Sequence, residues 1–245
     1  MCGRAKLETD VSEIKIAFRV PPEYPTPNFP PSWNVAPTDN LPIVRYDATA
    51  GYCTLDLMRW GLVPYWAKDI KIGFSTINAM AETVGTKPVF REAFQRRRCI
   101  VPVDSFYEWK KIGPKEKQPY AIALSDRSLM ALAGLWETWK SRANNETVRS
   151  FTIVTTTPNA LCADFHNRMP VILPPETWST WLGEEAAEPN QLKSILVPYA
   201  GEMVAWPVSQ RVGNVKNNDP NLIEPIDLPK GVLLSHQVRN ESTLG

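Results

Sequence analysis

The sequence predicts an α+β domain built on a mainly antiparallel, barrel-like β-sheet with short flanking helices. Three observations carry this. Runs rich in β-branched and aromatic residues outnumber amphipathic helical runs. The two kinds of segment do not alternate as a parallel βαβ sheet requires. Proline supplies 23 of the 245 residues, close to twice the ~5% average, and proline at that density cuts helices short.

Taken along the chain, Thr9 or Asp10 caps a first helix that runs to about Phe18. The proline-dense stretch Pro21 to Pro31 carries Tyr24 and Phe29 and reads as an ordered extended loop. Leu41 to Tyr46 and Tyr52 to Trp60 flank a turn-like DATAG and form a hairpin. A second helix spans Pro88 to Gln95. Strands follow at Arg98 to Val103, Tyr120 to Leu124, Met130 to Trp136 and Ser150 to Thr156. Pro174, Pro175 and Glu176 start a third helix, which ends near Gly183 with Trp178, Trp181 and Leu182 on one face. A fourth runs from Pro189 and Asn190 to about Val197, and a last strand from Met203 to Val208. One domain over 1–225 is expected, with 226–245 as a polar, loosely held tail.

Charge is uninformative by itself. Lys plus Arg number 27 against 26 acidic residues, a net +1, and a basic groove can hide inside a neutral total. Hydrophobic residues make up 43%, enough for a sizeable core, and no apolar run approaches the ~20 residues of a membrane span. The four cysteines, at 2, 53, 99 and 162, include no CxxC pair, and only His166 and His236 stand beside them. A structural metal site is not expected. MCGRAKLETD lacks a signal-peptide pattern, so reduced thiols and a cytoplasmic location are expected.

The chemistry centres on Cys2. Removal of Met1 makes it N-terminal, with an α-amine of reference pKa about 8 beside a thiol of about 8.5. Such a 1,2-aminothiol condenses with an aldehyde: the amine forms a Schiff base, and the thiol then closes a five-membered thiazolidine. An internal cysteine cannot do this. An N-terminal nucleophile hydrolase uses the same pair differently, the amine serving as base for its own side chain. Position alone does not separate these readings from an incidental second residue.

Three side chains are candidate partners. His166, in ADFHNRMP, is one of only two histidines. Glu108 lies among Phe106, Tyr107 and Trp109, a setting that desolvates a carboxylate and raises its pKa into the range of general acid–base work, unless it points outward from an alternating strand. Asn78, in STINAMAET, offers a donor and an acceptor.

MCGR, WNVAPT, RWGLVPYWA, INAMAET, RRCIVPVDSFYEWK, HNRMPVIL and VGNVKNN occur in one order from Cys2 to Asn218. On these motifs the chain resembles the SOS-response-associated peptidase (SRAP) family. The resemblance implies a SRAP-like single domain that recognises abasic sites in single-stranded DNA and links to them through Cys2 as a thiazolidine. Met1 is released first, by the protein itself. Cys2, Asn78, Glu108 and His166 are the positions at which the family's essential residues fall. In this reading Glu108 moves protons during sugar opening and imine formation, His166 stabilises the sugar oxygen, and Asn78 orients the Cys2 amine.

Expected DNA contacts are Arg4, Arg168 and Lys216 with phosphates, Tyr65 and Trp66 stacking on bases, and Val35 and Pro37 beside the bent strand. Many relatives carry arginine after the Asn-Ala pair, where it meets a phosphate; this chain has Met80. That departure bears on DNA affinity, with Lys216 or Lys87 as substitutes, and leaves the four reacting positions intact. The expected protein is a monomer without cofactor, metal or membrane partner. A cysteine peptidase or amidase acting in trans and a noncovalent single-strand-binding module are the alternatives.

Overall fold

A computed structural model describes residues 2–228. Twelve strands and four short α-helices are assigned among them: β1 Ala5–Leu7, α1 Val11–Ala17, β2 Ser32–Val35, β3 Asn40–Asp47, β4 Tyr52–Trp60, β5 Asn78–Met80, α2 Arg91–Arg96, β6 Arg98–Val103, β7 Ser105–Lys111, β8 Lys117–Leu124, β9 Met130–Lys140, β10 Thr147–Thr156, β11 Met169–Pro170, α3 Trp178–Leu182, α4 Pro189–Ser194 and β12 Met203–Pro207.

The longer strands sit where the alternating apolar runs place them. β3 and β4 pair antiparallel over eight positions, Asn40↔Arg59 to Asp47↔Tyr52. Their turn is made by Asp47, whose carboxylate accepts from the N–H groups of Thr49 and Ala50, and by Gly51 at φ +77°, which a side chain would resist. β10, β4, β3, β6 and β9 pair in sequence, and β9 returns to β10, closing a five-stranded barrel. β10 pairs in parallel with β4 and β5; the other pairings of this sheet are antiparallel. A second antiparallel sheet, in the order β12-β8-β7-β1-β2, packs over the barrel.

Alternate residues of β6 and β9 divide between two cores. Cys99, Val101 and Leu132 join Leu41, Ile43, Trp60 and Phe151, on which Ala5, Phe106 and Ile122 of the second sheet also pack. Ile100, Ala131, Ala133 and Leu135 face the helices through Ile14, Phe18, Phe94 and Trp181. Burying these large side chains stabilises by about 1.5–3 kcal/mol each.

Some expectations shift. The second helix starts at Arg91 rather than Pro88, because a turn in which the Phe90 and Arg91 N–H groups both donate to Lys87 O precedes it. The fourth stops at Ser194, short of Val197. Asp10 does cap the first, accepting from Ser12 N. Ile226, at the start of the expected tail, donates its N–H to Pro207 O; residues 229–245 lie outside the described residues. All four cysteines are buried and free of disulfides, and no described helix is long and apolar enough to cross a membrane.

Candidate active site

Cys2, Gly3 and Arg4 lead directly into β1. That strand is held on both sides, by β2 through Ala5↔Val35 and by β7 through Ala5↔Phe106, and Tyr107 N–H donates to Arg4 O at 2.9 Å. The start of the chain is thereby carried between the second sheet and the barrel, and Cys2 is fully buried. Its main-chain carbonyl accepts a 2.8 Å hydrogen bond from Asn78 Nδ2.

Asn78 opens β5, a three-residue strand too short to stand alone. It is fixed by parallel pairing with β10, Asn78 opposite Ile153, and by Trp60, whose Nε1 donates to Ile77 O at 2.9 Å. The tryptophan of RWGL therefore sets the height of Asn78. With Nδ2 committed to Cys2, Asn78 Oδ1 is buried and has no partner among the described residues.

Glu108 projects from β7 on the face shared with Phe106 and lies directly opposite Tyr120 of β8. It is 6% exposed, inward rather than outward on its strand. Burial raises its pKa above the ordinary carboxylate range. The Cys2 thiol is pushed up as well, first by burial and next by the Glu108 charge, against which the Arg4 main-chain N–H bonds the sulfur. Thiol and carboxylate thus sit within electrostatic reach of one another, and burial raises the pKa of both.

His166 follows a 3-10 turn, Cys162–Asp164, and its N–H donates to Cys162 O at 3.0 Å. Its Nδ1 accepts the Arg168 N–H at 3.0 Å, which places the neutral ring's proton on Nε2. Burial, with the positive charges of Lys117 and Arg168 among the further causes, lowers its pKa. The shift favours the neutral ring, which with this tautomer is a donor through Nε2.

The expected DNA contacts divide. Tyr65 and Trp66 are 57% and 46% exposed, free to stack. They lie on the segment after Gly61, which holds φ +114°; a Cβ there would fall 2.5 Å from Gly73 O, so the loop depends on glycine. Pro37 is half-buried, and Lys216 is exposed. Val35, by contrast, is buried in the core cluster that holds Cys2, so its side chain meets packing neighbours. Arg4 is engaged internally: its Nη1 donates to Asn34 Oδ1 at 2.7 Å and to Val212 O at 2.6 Å. Arg168 forks onto the Glu82 carboxylate at 2.7 and 2.9 Å. Met80 is exposed at the end of β5.

Two features escaped sequence reading. Asn34, buried within WNVAPT, donates from Nδ2 to Asn214 O and Asn217 O. With Arg4 it clamps the VGNVKNN loop beside the start of the chain; the motif was visible, its partner 180 residues away was not. Phe74, 64% exposed, lies with Lys71 on the segment that carries Trp66, and the Arg59 guanidinium sits 5.9 Å from its ring. A lone exposed aromatic in a polar stretch carries no sequence signal. No cluster of metal-ligating side chains occurs among the described residues.

Fold and site together are a small barrel capped by a second sheet, with a buried cysteine at position two whose carbonyl bonds Asn78 and whose thiol lies within electrostatic reach of Glu108. The chain belongs to the SOS response associated peptidase (SRAP) family, whose sequence profile matches residues 1–215. It is 45% identical over 225 residues to the abasic site processing protein YoqW of Bacillus subtilis, covering 91% of this chain and 99% of that one. It is 31% identical to the abasic site processing protein HMCES of Mus musculus, over 93% of this chain and 77% of that one. The fold matches the crystal structure of a protein from Bacteroides thetaiotaomicron with a TM-score of 0.83 at 24% identity, covering 92% of this chain and all of that one. A phage-related protein from Bordetella bronchiseptica matches with a TM-score of 0.64 at 28% identity, over 85% and 95%.

Proposed function

We propose that this protein recognises abasic sites in single-stranded DNA and, once Met1 is removed, joins them through Cys2 as a thiazolidine, shielding the lesion. The observation that carries the reading is the Asn78 amide. It fixes the Cys2 carbonyl through Nδ2 and leaves a buried, unpartnered Oδ1, a ready acceptor for the α-amine that Met1 removal frees. The names of the relatives, abasic site processing proteins, supply the lesion.

An abasic deoxyribose is mostly a closed hemiacetal. Glu108, its proton affinity raised by burial, shuttles protons during ring opening and then during imine formation. In this reading His166 stabilises the sugar oxygen by donating from Nε2–H. The amine of Cys2 attacks first, and the thiol, protonated at rest, gives up its proton as sulfur adds to the imine carbon. Trp66, Tyr65 and Phe74 offer stacking surfaces to neighbouring bases, with Arg59, Lys71 and Lys216 as sources of positive charge. The protein acts as a cytoplasmic monomer and releases Met1 itself.

Denaturing gels test this. The protein incubated with abasic, uracil-containing and intact single strands gives a slow covalent band with the abasic strand alone. That band is absent when the abasic aldehyde is first reduced with borohydride. A band with the uracil or reduced strand overturns the reading.

A further inference from the structure

We infer that the Tyr120 hydroxyl is a further catalytic group of this site, donating a hydrogen bond to the sugar oxygen on the carbon that Cys2 attacks. The inference rests on the crosslinking reading above. Tyr120 stands directly opposite Glu108 across the β7–β8 pair, and side chains so placed share a face with their Cβ atoms about 4.5–5.5 Å apart. Tyr120 belongs to the same buried cluster as Cys2. Its ring packs on Phe165 with centroids 4.9 Å apart, and Phe165 is the residue before His166. The phenol thus lies opposite one candidate reacting residue, in the buried cluster of a second, and packed on the sequence neighbour of a third.

The hydroxyl is buried and has no hydrogen-bond partner among the described residues. A buried donor without a partner is a cost to folding, and phenylalanine would fill the same space without it. A substrate oxygen that completes the bond removes the cost. Burial also raises the phenol's pKa, so it stays an O–H donor throughout the neutral range.

As the Cys2 amine adds to the aldehyde carbon, the C–N bond forms and the C=O π pair moves onto oxygen. Tyr120 O–H stabilises the charge developing there. That oxygen takes a proton passed from the attacking nitrogen through Glu108, giving the carbinolamine, and a second by the same route as it leaves as water; the imine nitrogen then takes the thiol's proton as the C–S bond closes the ring. Tyr120 keeps its own proton throughout. The sum stays aldehyde plus aminothiol to thiazolidine plus water.

The test compares wild type with Tyr120→Phe in three measurements: single-turnover crosslinking to an abasic single strand from pH 5.5 to 8.5, noncovalent affinity for the borohydride-reduced strand, and Tm. The expected result is a rate roughly 100–1,000-fold lower, in keeping with loss of one oxyanion donor. Affinity stays within about twofold, and Tm is equal or higher. A rate within about twofold of wild type, a fall in affinity matching the fall in rate, or a lowered Tm overturns the inference. Failure of wild type itself to form an adduct overturns the crosslinking reading instead, so the two failures are distinguishable.

Discussion

Asn78 and Cys2, 76 residues apart in sequence, are joined by a 2.8 Å hydrogen bond from the Asn78 side-chain amide to the Cys2 main-chain carbonyl. The bond restrains the carbonyl and not the sulfur, so it holds the peptide plane on which the α-amine and the side chain both depend. Asn78→Ala should therefore lower the crosslinking rate by about 10–100-fold, the range expected when a reacting group is displaced by about 1 Å. Its cost in stability should be about 1–3 kcal/mol, because the buried Cys2 carbonyl loses its partner. Single-turnover kinetics and thermal melts of the variant measure the two effects separately.

Glu108 ties activity and stability to pH with opposite signs. Its pKa is raised in the folded protein by burial, so its charged form disfavours folding. Its contribution is most favourable below the carboxylate's ordinary value near 4.3 and declines as pH rises through the folded value. Glu108→Gln should thus melt above wild type at pH 7, with the gap closing by about pH 4. The same variant should crosslink about 10²–10⁴-fold more slowly, the usual size of a general acid–base contribution. Melting curves at the two pH values, paired with rates at pH 7, decide both halves.

Trp66 and Trp60 are close in sequence and opposite in consequence. Trp66 is 46% exposed, whereas Trp60 is fully buried, stacks on Phe151 and bonds Ile77 O. Trp66→Ala should weaken single-strand binding by about 1–3 kcal/mol, one stacked base, with Tm little changed. Trp60→Ala should lose about 3–5 kcal/mol of stability through the cavity it leaves. Binding isotherms and denaturant titrations on both proteins separate the roles.

Met80 occupies the exposed end of β5, where Thr155 pairs with it and Arg168 reaches the Thr155 carbonyl. The Arg168 guanidinium is already forked onto Glu82. Met80→Arg therefore adds a cation at the rim and should steepen the slope of log affinity against log salt by about 0.7, one single-strand phosphate. An unchanged slope in a salt titration would place the backbone of the DNA away from β5.

The fold class was legible because β3, β4, β6, β9 and β10 are long enough for their alternation to rise above local noise. β1, β5 and β11, of two or three residues each, were not, since such segments are strands only through their neighbours. Those short strands are what place the site: β1 anchors the segment that begins at Cys2, and β5 carries Asn78. The inward aim of Glu108 was equally hidden, because a strand's pattern gives parity and not which face is covered. Arg4 and Val35 show the limit from the other side. Both lie in motifs near the site, yet one is bonded to Asn34 and the other packed into the core, arrangements set by the loop at 212–217 and by the barrel rather than by local sequence.

The most direct test is the intact mass of the covalent product formed with an abasic single-stranded oligonucleotide. The account requires the mass of the protein lacking Met1 plus that of the oligonucleotide minus one water, and no such species from Cys2→Ala. An adduct that retains Met1, or one that still forms with Cys2→Ala, would contradict it.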